Sequence, residues 1–144
     1  MKEVIVSSKE NLQNEIKYAD DAVPFIGDEP ASAGGEGAGP DPYTLLLAAL
    51  GTCTSITLKL YARRKGWPLD RVIVRLSAER IHSTDAADCG ERDNCYIHKI
   101  RRELALEGDL TDDQRARLKQ IATRCPIHQT LTSKIVIADA PAAP

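Results

Sequence analysis

The chain has no basic excess: 19 Lys and Arg stand against 21 Asp and Glu, a formal net charge of -2. No like-charge tract runs longer than Arg63, Arg64 and Lys65. A nucleic-acid-binding surface needs clustered positive charge to neutralise phosphates, so that class is set aside. Aromatics are scarce as well, with one Trp, four Tyr and one Phe, so any sheet must be packed mainly by Val, Ile and Leu. The N-terminal residues Met1 to Ser7 contain no apolar run leading to a small-residue cleavage site, and no secretory signal is read there. The longest uncharged stretch, Pro42 to Leu58, is broken by Gly51, Ser55 and several threonines and ends at Lys59, short of a membrane span. These absences lead to the expectation of a cytoplasmic protein with neither nucleic acid nor membrane as partner. Its four cysteines then read as reactive thiols, metal ligands or core residues rather than as a disulfide scaffold.

What is present fits one ordinary globular domain: 144 residues, 42% hydrophobic and 28% charged. The expectation is a single domain over 1–138 with a C-terminal tail over 139–144. Three short strands are read in Glu3 to Val6, Leu12 to Tyr18 and Ala22 to Ile26, forming an antiparallel meander. Asp28 to Asp41 is too rich in Gly and Pro for regular structure and reads as a long loop beside a functional pocket. It lacks the Lys-Ser or Lys-Thr of a phosphate loop and the dinucleotide glycine spacing, so nucleotide binding is not expected.

Asp41-Pro42 is a helix start, since the Asp side chain accepts orphan N–H groups and proline fits the first turn. The helix is expected to run to Lys65 and stop at Gly66. Its first half, Leu45 to Leu50, is apolar all round and therefore expected inside the protein. The small residues Gly51 to Ser55 suggest close approach of another helix. Arg71 to Ile81 and Tyr96 to Glu107 alternate as half-buried strands, with Arg102 the exception on the apolar side. Thr111-Asp112-Asp113-Gln114 reads as a capping box opening a helix to about Thr123. A short helix follows from Pro126, and Ser133 to Ala138 reads as a last strand. Strands, helix, strands, helices, strand, with no βαβ alternation and no repeat, make an α+β protein.

The cysteines carry the chemistry. Cys125 sits at a helix N-cap, where free N–H groups stabilise a thiolate, and His128 follows on the same face. The plainer reading makes Cys125 a capping residue and His128 a surface side chain. Cys53, mid-helix among apolar residues, reads as an inert buried thiol unless a cation lies near, and Arg102 is a candidate for that cation. His82, Cys89, Cys95 and His98 form a loose zinc-type constellation, but five residues between the cysteines is wider than the usual spacing. The alternative there is a polar hairpin tip.

Gly39-Pro40-Asp41-Pro42-Tyr43-Thr44-Leu45-Leu46-Leu47-Ala48-Ala49-Leu50-Gly51-Thr52-Cys53 resembles the OsmC/Ohr family, the osmotically inducible and organic hydroperoxide resistance proteins. Lys65-Gly66-Trp67-Pro68-Leu69 and Arg124-Cys125-Pro126-Ile127-His128 through Ser133 extend the similarity, which covers roughly Pro30 to Ile137. The resemblance implies an intertwined homodimer, antiparallel sheets wrapped on central helices, and thiol peroxidase chemistry on organic hydroperoxides. It assigns Cys53 the peroxidatic and Cys125 the resolving role, with re-reduction by a lipoyl-type dithiol and no metal or organic cofactor. Helix position alone favours Cys125 as the more acidic thiol, which conflicts with that order. Two features depart from the family pattern: Tyr43 stands where the family carries a glutamate, and no arginine precedes Arg63. Glu36, Asp41 and Arg102 are candidate stand-ins, with His128 and Tyr43 as further supporting residues. The rival readings are a binding module for a small hydrophobic molecule and a thiol redox sensor.

Overall fold

The computed structural model describes residues 3–18, 22–82 and 96–140. It is α+β, with antiparallel sheets and helices. The chain divides into two compact units, 1–48 and 49–144. In the first, β1 (Ile5–Ser8), β2 (Asn14–Lys17) and β3 (Phe25–Gly27) form the expected meander, in the order β1-β2-β3, with Val6 opposite Ile16 and Ile16 opposite Phe25. β1 is shifted two residues from the expected Glu3 to Val6, and β2 and β3 are shorter than the expected Leu12 to Tyr18 and Ala22 to Ile26.

The glycine-rich loop is ordered by a single carboxylate. Asp28, buried, accepts the N–H groups of Glu29, Glu36 and Ala38 at 2.9, 3.0 and 3.0 Å. Gly39 allows the returning chain to pass against β3, since a Cβ there would lie 1.8 Å from the Ile26 carbonyl oxygen. One turn of 3-10 helix, Ala31–Ala33, is the loop's regular part. Asp41 then caps α1 (Pro42–Lys65) as expected, accepting from the N–H groups of Tyr43 and Thr44 at 3.0 and 3.1 Å.

The second unit holds most of the core. From Leu50 onward α1 buries a stripe at every fourth residue, Leu50, Thr54, Leu58 and Ala62, which is the spacing that lines up side chains on one helical face. Against Leu58 and Ala62 pack Leu69, Leu106, Leu110, Leu118, Ile121 and Ala122. β4 (Arg71–His82) and β5 (Tyr96–Glu107) pair antiparallel, from Arg71 opposite Glu107 to His82 opposite Tyr96. α2 (Asp112–Ile121) opens on the complete capping box of Thr111 and Gln114, and α3 (Pro126–Leu131) on Cys125. Gly66, at φ +66, supplies the left-handed residue that ends α1.

Three expectations are corrected. The apolar helix is not enclosed all round: Leu46, Ile56 and Leu60 are exposed, because a single stripe meets the core. At 24 residues and a mean hydropathy of 1.5 in its most apolar window, α1 does reach the length and composition of a membrane span. The small-residue run does admit another helix, the start of α3 meeting Cys53 and Thr54, while Gly51 itself faces Leu76 of β4, 3.1 Å from where its Cβ would stand. Ser133 to Ala138 forms no strand, and Ile135, Val136 and Ile137 are exposed. A strand exists only by pairing with a neighbouring strand, and among the described residues this segment pairs with none, while Ser133 bonds back to the Thr130 carbonyl.

Candidate redox site

The second unit brings Cys53 and Cys125 together across 72 positions of sequence. Two consecutive N–H groups at the start of α3 point one to each sulfur: Ile127 N–H to Cys53 Sγ at 3.5 Å and His128 N–H to Cys125 Sγ at 3.3 Å. Pro126 makes this geometry by fixing the first helical residue and leaving Cys125 extended, at φ -65 and ψ 137, so its side chain turns back over the opening turn. Cys53 is half-buried and Cys125 is wholly enclosed.

Their environments push the two thiols apart. Burial raises Cys53, the proton it shares with Cys125 and the charge there raise it further, and the Ile127 N–H opposes. Burial works against the Cys125 thiolate too, but donation from His128 N–H, Thr54 and Cys53, with the Arg102 charge behind them, outweighs it and lowers the thiol. Cys125 is therefore the more acidic of the pair, as its N-cap position suggests.

Arg102 is on the apolar side of β5 as read from the alternation, opposite Leu76. Its target differs from the expected one. The guanidinium Nη1 donates to Thr54 Oγ1 at 3.2 Å and to the Ala122 carbonyl at 3.1 Å. It thus backs Cys125 rather than Cys53. Thr54, fully buried, donates to Cys125 Sγ at 3.7 Å. Sequence reading missed this residue, although a lone hydroxyl in the stripe Leu50, Thr54, Leu58, Ala62 was the available signal.

A cavity of about 230 Å3 is lined by Leu50, His98, Ile100, Arg102, His128, Leu131 and Thr132, and it shares Arg102 and His128 with the thiol site. Its walls mix the aliphatic side chains of Leu50, Ile100 and Leu131 with the polar ones of His98, Arg102, His128 and Thr132. The other proposed supporting residues belong to the first unit. Glu36 accepts from Asn11 and Gln13, and Tyr43 is exposed in the first turn of α1. Asp41 is engaged in capping α1. Of the zinc-type constellation, Cys89 and Cys95 lie outside the described residues, as does the side chain of His82; no metal-type cluster occurs among the described residues.

The family model for OsmC-like protein matches residues 34–138. The chain belongs to the OsmC-like family. Among solved structures, it resembles an OsmC-like protein from Mycoplasma pneumoniae, at TM-score 0.71 and 18% identity, over 91% of this chain and 86% of that one. It also resembles the organic hydroperoxide resistance protein OhrB of Bacillus subtilis, at TM-score 0.64 and 18% identity, covering 92% and 90% of the two chains. An organic hydroperoxide resistance protein OsmC from Legionella pneumophila gives 0.67 and 15%, covering 92% and 89%. No curated protein matches the chain in sequence. At these identities the OsmC-like fold is shared.

Proposed function

We propose that this OsmC-like protein is a thiol-dependent peroxidase that reduces organic hydroperoxides through Cys53 and Cys125. The observation that carries the reading is the pair of sulfurs held by the adjoining N–H groups of Ile127 and His128, with a partly apolar cavity reached through Arg102 and His128. Cys53, the more open thiol, attacks the distal oxygen of ROOH as thiolate. The O–O bond breaks, the sulfur becomes a sulfenic acid, and the leaving alkoxide takes a proton to give ROH. Cys125, enclosed beside it, attacks the Cys53 sulfenic sulfur, expelling hydroxide that leaves as water after protonation, and a disulfide forms. Two electrons from an external dithiol, of lipoyl type by family resemblance, restore both thiols.

The cavity volume is below the roughly 300 Å3 at which drug-sized ligand pockets begin. It suits a small hydroperoxide or the reactive end of a longer one. The exposed apolar side chains Leu46, Ile56 and Leu60 on α1, with Ile135 to Ile137, support assembly as a homodimer, since apolar patches of this kind mark interaction surfaces. The cytoplasm is the proposed location.

A second reading, a non-catalytic binder of a small hydrophobic molecule, is favoured by one observation: Tyr43 stands at the family's glutamate position and no arginine precedes Arg63. Peptide mapping by mass spectrometry decides between the two. One equivalent of cumene hydroperoxide should give a rapid disulfide between Cys53 and Cys125, slower with hydrogen peroxide and absent in Cys53→Ser, and dihydrolipoamide should sustain peroxide consumption. Thiols that stay reduced for minutes would transfer the assignment to the binder.

A further inference from the structure

The Thr54 hydroxyl has its hydrogen direction dictated by its neighbours. Arginine donates and never accepts, so the bond from Arg102 Nη1 uses a lone pair of Thr54 Oγ1 and leaves the hydroxyl hydrogen for another partner. One turn away, Thr57 spends its hydrogen on a backbone carbonyl, that of Cys53 at 2.8 Å. Thr54 does not: its partner is Cys125 Sγ. The second hydrogen of Arg102 Nη1 is anchored on the carbonyl of fully buried Ala122, at the start of the turn that leads into Cys125, so the guanidinium is fixed at two points.

We propose that Thr54, aimed by Arg102, is a positioning residue that holds Cys125 as a thiolate beside the Cys53 thiol, making Cys125 the group that accepts the Cys53 proton. The sulfur of Cys125 then receives three donors from two elements: Thr54 O–H and Cys53 S–H from α1, and His128 N–H from α3. The charged and titratable groups around it are Cys53 on α1, Arg102 on β5, with His98 beside it at the cavity, and Arg124 and His128 on its own segment. In the peroxidase cycle, and resting on that reading, the Cys53 proton moves to Cys125 sulfur as Cys53 attacks the O–O bond. From Cys125 the proton passes to the departing alkoxide, giving ROH and leaving Cys125 again as thiolate, ready to attack the sulfenic acid. No proton is gained or lost in the first step. This supplies by another route the thiolate control that an N-terminal arginine and a glutamate give in the family.

The test separates ionisation from turnover. Cys125 is titrated in a background in which Cys53, Cys89 and Cys95 are all replaced by serine, so that it is the one thiol left and the side chain at position 53 is still a hydroxyl, by thiolate absorbance at 240 nm and without peroxide. Thr54→Val, nearly isosteric, is expected to lower the Cys125 thiolate fraction at neutral pH about tenfold, the effect of losing one charge-assisted hydrogen bond. Thr54→Ser should titrate as the parent. Arg102→Met should lower the thiolate fraction more in the Thr54 protein than in Thr54→Val, where only its direct charge effect on Cys125 remains and its aim of the hydroxyl is already lost. Should Thr54→Val not fold, as circular dichroism would show, Thr54→Ser and Arg102→Met still report. Parent-like titration of Thr54→Val, or of Arg102→Met if the valine variant does not fold, would overturn the proposal, as would equal effects of Arg102→Met in both backgrounds. A shifted titration in a protein that forms no disulfide with cumene hydroperoxide would support the positioning role while sinking the peroxidase reading.

Discussion

Thr54 Oγ1 lies 3.7 Å from the sulfur of Cys125, a buried contact that joins the middle of the long helix to the entrance of the last one. It places a polar tether inside the stripe that otherwise seals the core. The thiol pair therefore inherits the rigidity of α1 and of the packed turn at Ala122, and its acidities follow from fixed donors rather than from mobile charges.

The lowered Cys125 thiol links stability to pH. A thiol whose folded value lies below its ordinary 9.0 contributes stability fully above 9.0 and loses it as pH falls through the lowered value. In a Cys53→Ser background, the stability advantage of Cys125 over Cys125→Ser should thus grow as pH rises toward 9. Cys53 has the opposite sign. With its thiol raised, it destabilises the fold as pH climbs beyond 9.0, so Cys125→Ser alone should lose urea resistance there relative to the Cys53→Ser, Cys125→Ser double variant. Urea midpoints across that pH range read both; coincident curves would show that neither thiol is shifted.

Asp28 should govern the glycine-rich loop. The Ala38 N–H is the chief group holding its carboxyl below the ordinary 3.8; burial opposes this, and the Glu36 and Glu29 N–H groups reinforce it. The contribution is complete above 3.8 and disappears as pH falls through the lowered value. Asp28→Asn replaces one accepting oxygen with a donor. Amide exchange at Glu36 and Ala38 should then accelerate at neutral pH while that of the core strands is unchanged; unaltered protection would exclude Asp28 as the clasp.

Leu58 is fully buried at the centre of the larger core. Leu58→Ala removes buried methyl groups and leaves a cavity, with an expected cost of about 2 to 5 kcal/mol. The outward-facing Leu60→Ala, half exposed, should cost far less in a monomeric measurement at low protein concentration. Denaturant titration of the two variants checks the difference, and equal losses would mean that the two faces of α1 are equally buried in solution.

Gly39→Ala is expected to be much worse than its one added methyl suggests. The new carbon would fall 1.8 Å from the Ile26 carbonyl oxygen, a backbone atom that has no flexible side chain to swing aside. The loop would have to withdraw from β3, breaking the bond from Asp28 N–H to the Pro40 carbonyl. A thermal midpoint within a degree of the parent would refute the close approach.

The sequence was most informative where the cause is local. Asp41 before Pro42, Gly66 after Lys65, the box of Thr111 and Gln114, and the alternation of β4 and β5 all act within a few residues and stand as read. The placement of Cys125 at the head of α3 belongs with them. Arg102 shows the limit: alternation told which side it takes, but its target depended on where α1 and the turn at Ala122 come to rest, and these lie 48 and 20 positions away. Thr54 was missed because a threonine in a helix ordinarily bonds back along its own helix. The apolar patterns of Leu45 to Leu50 and Ser133 to Ala138 gave the right hydrophobicity and the wrong burial. Hydrophobicity says that a surface is to be covered and does not say by what.

The uncovered Ile135-Val136-Ile137 run is a hazard as well as a surface. Three consecutive β-branched residues form a short sticky segment of the kind that seeds intermolecular pairing, and the adjoining Lys134 and Asp139 are charged gatekeepers at its two ends. With a net charge of only -2, the molecule has little overall repulsion in reserve. Concentrated preparations should therefore lose solubility as added salt screens those two flanking charges, and a single lysine in place of Val136 should restore it.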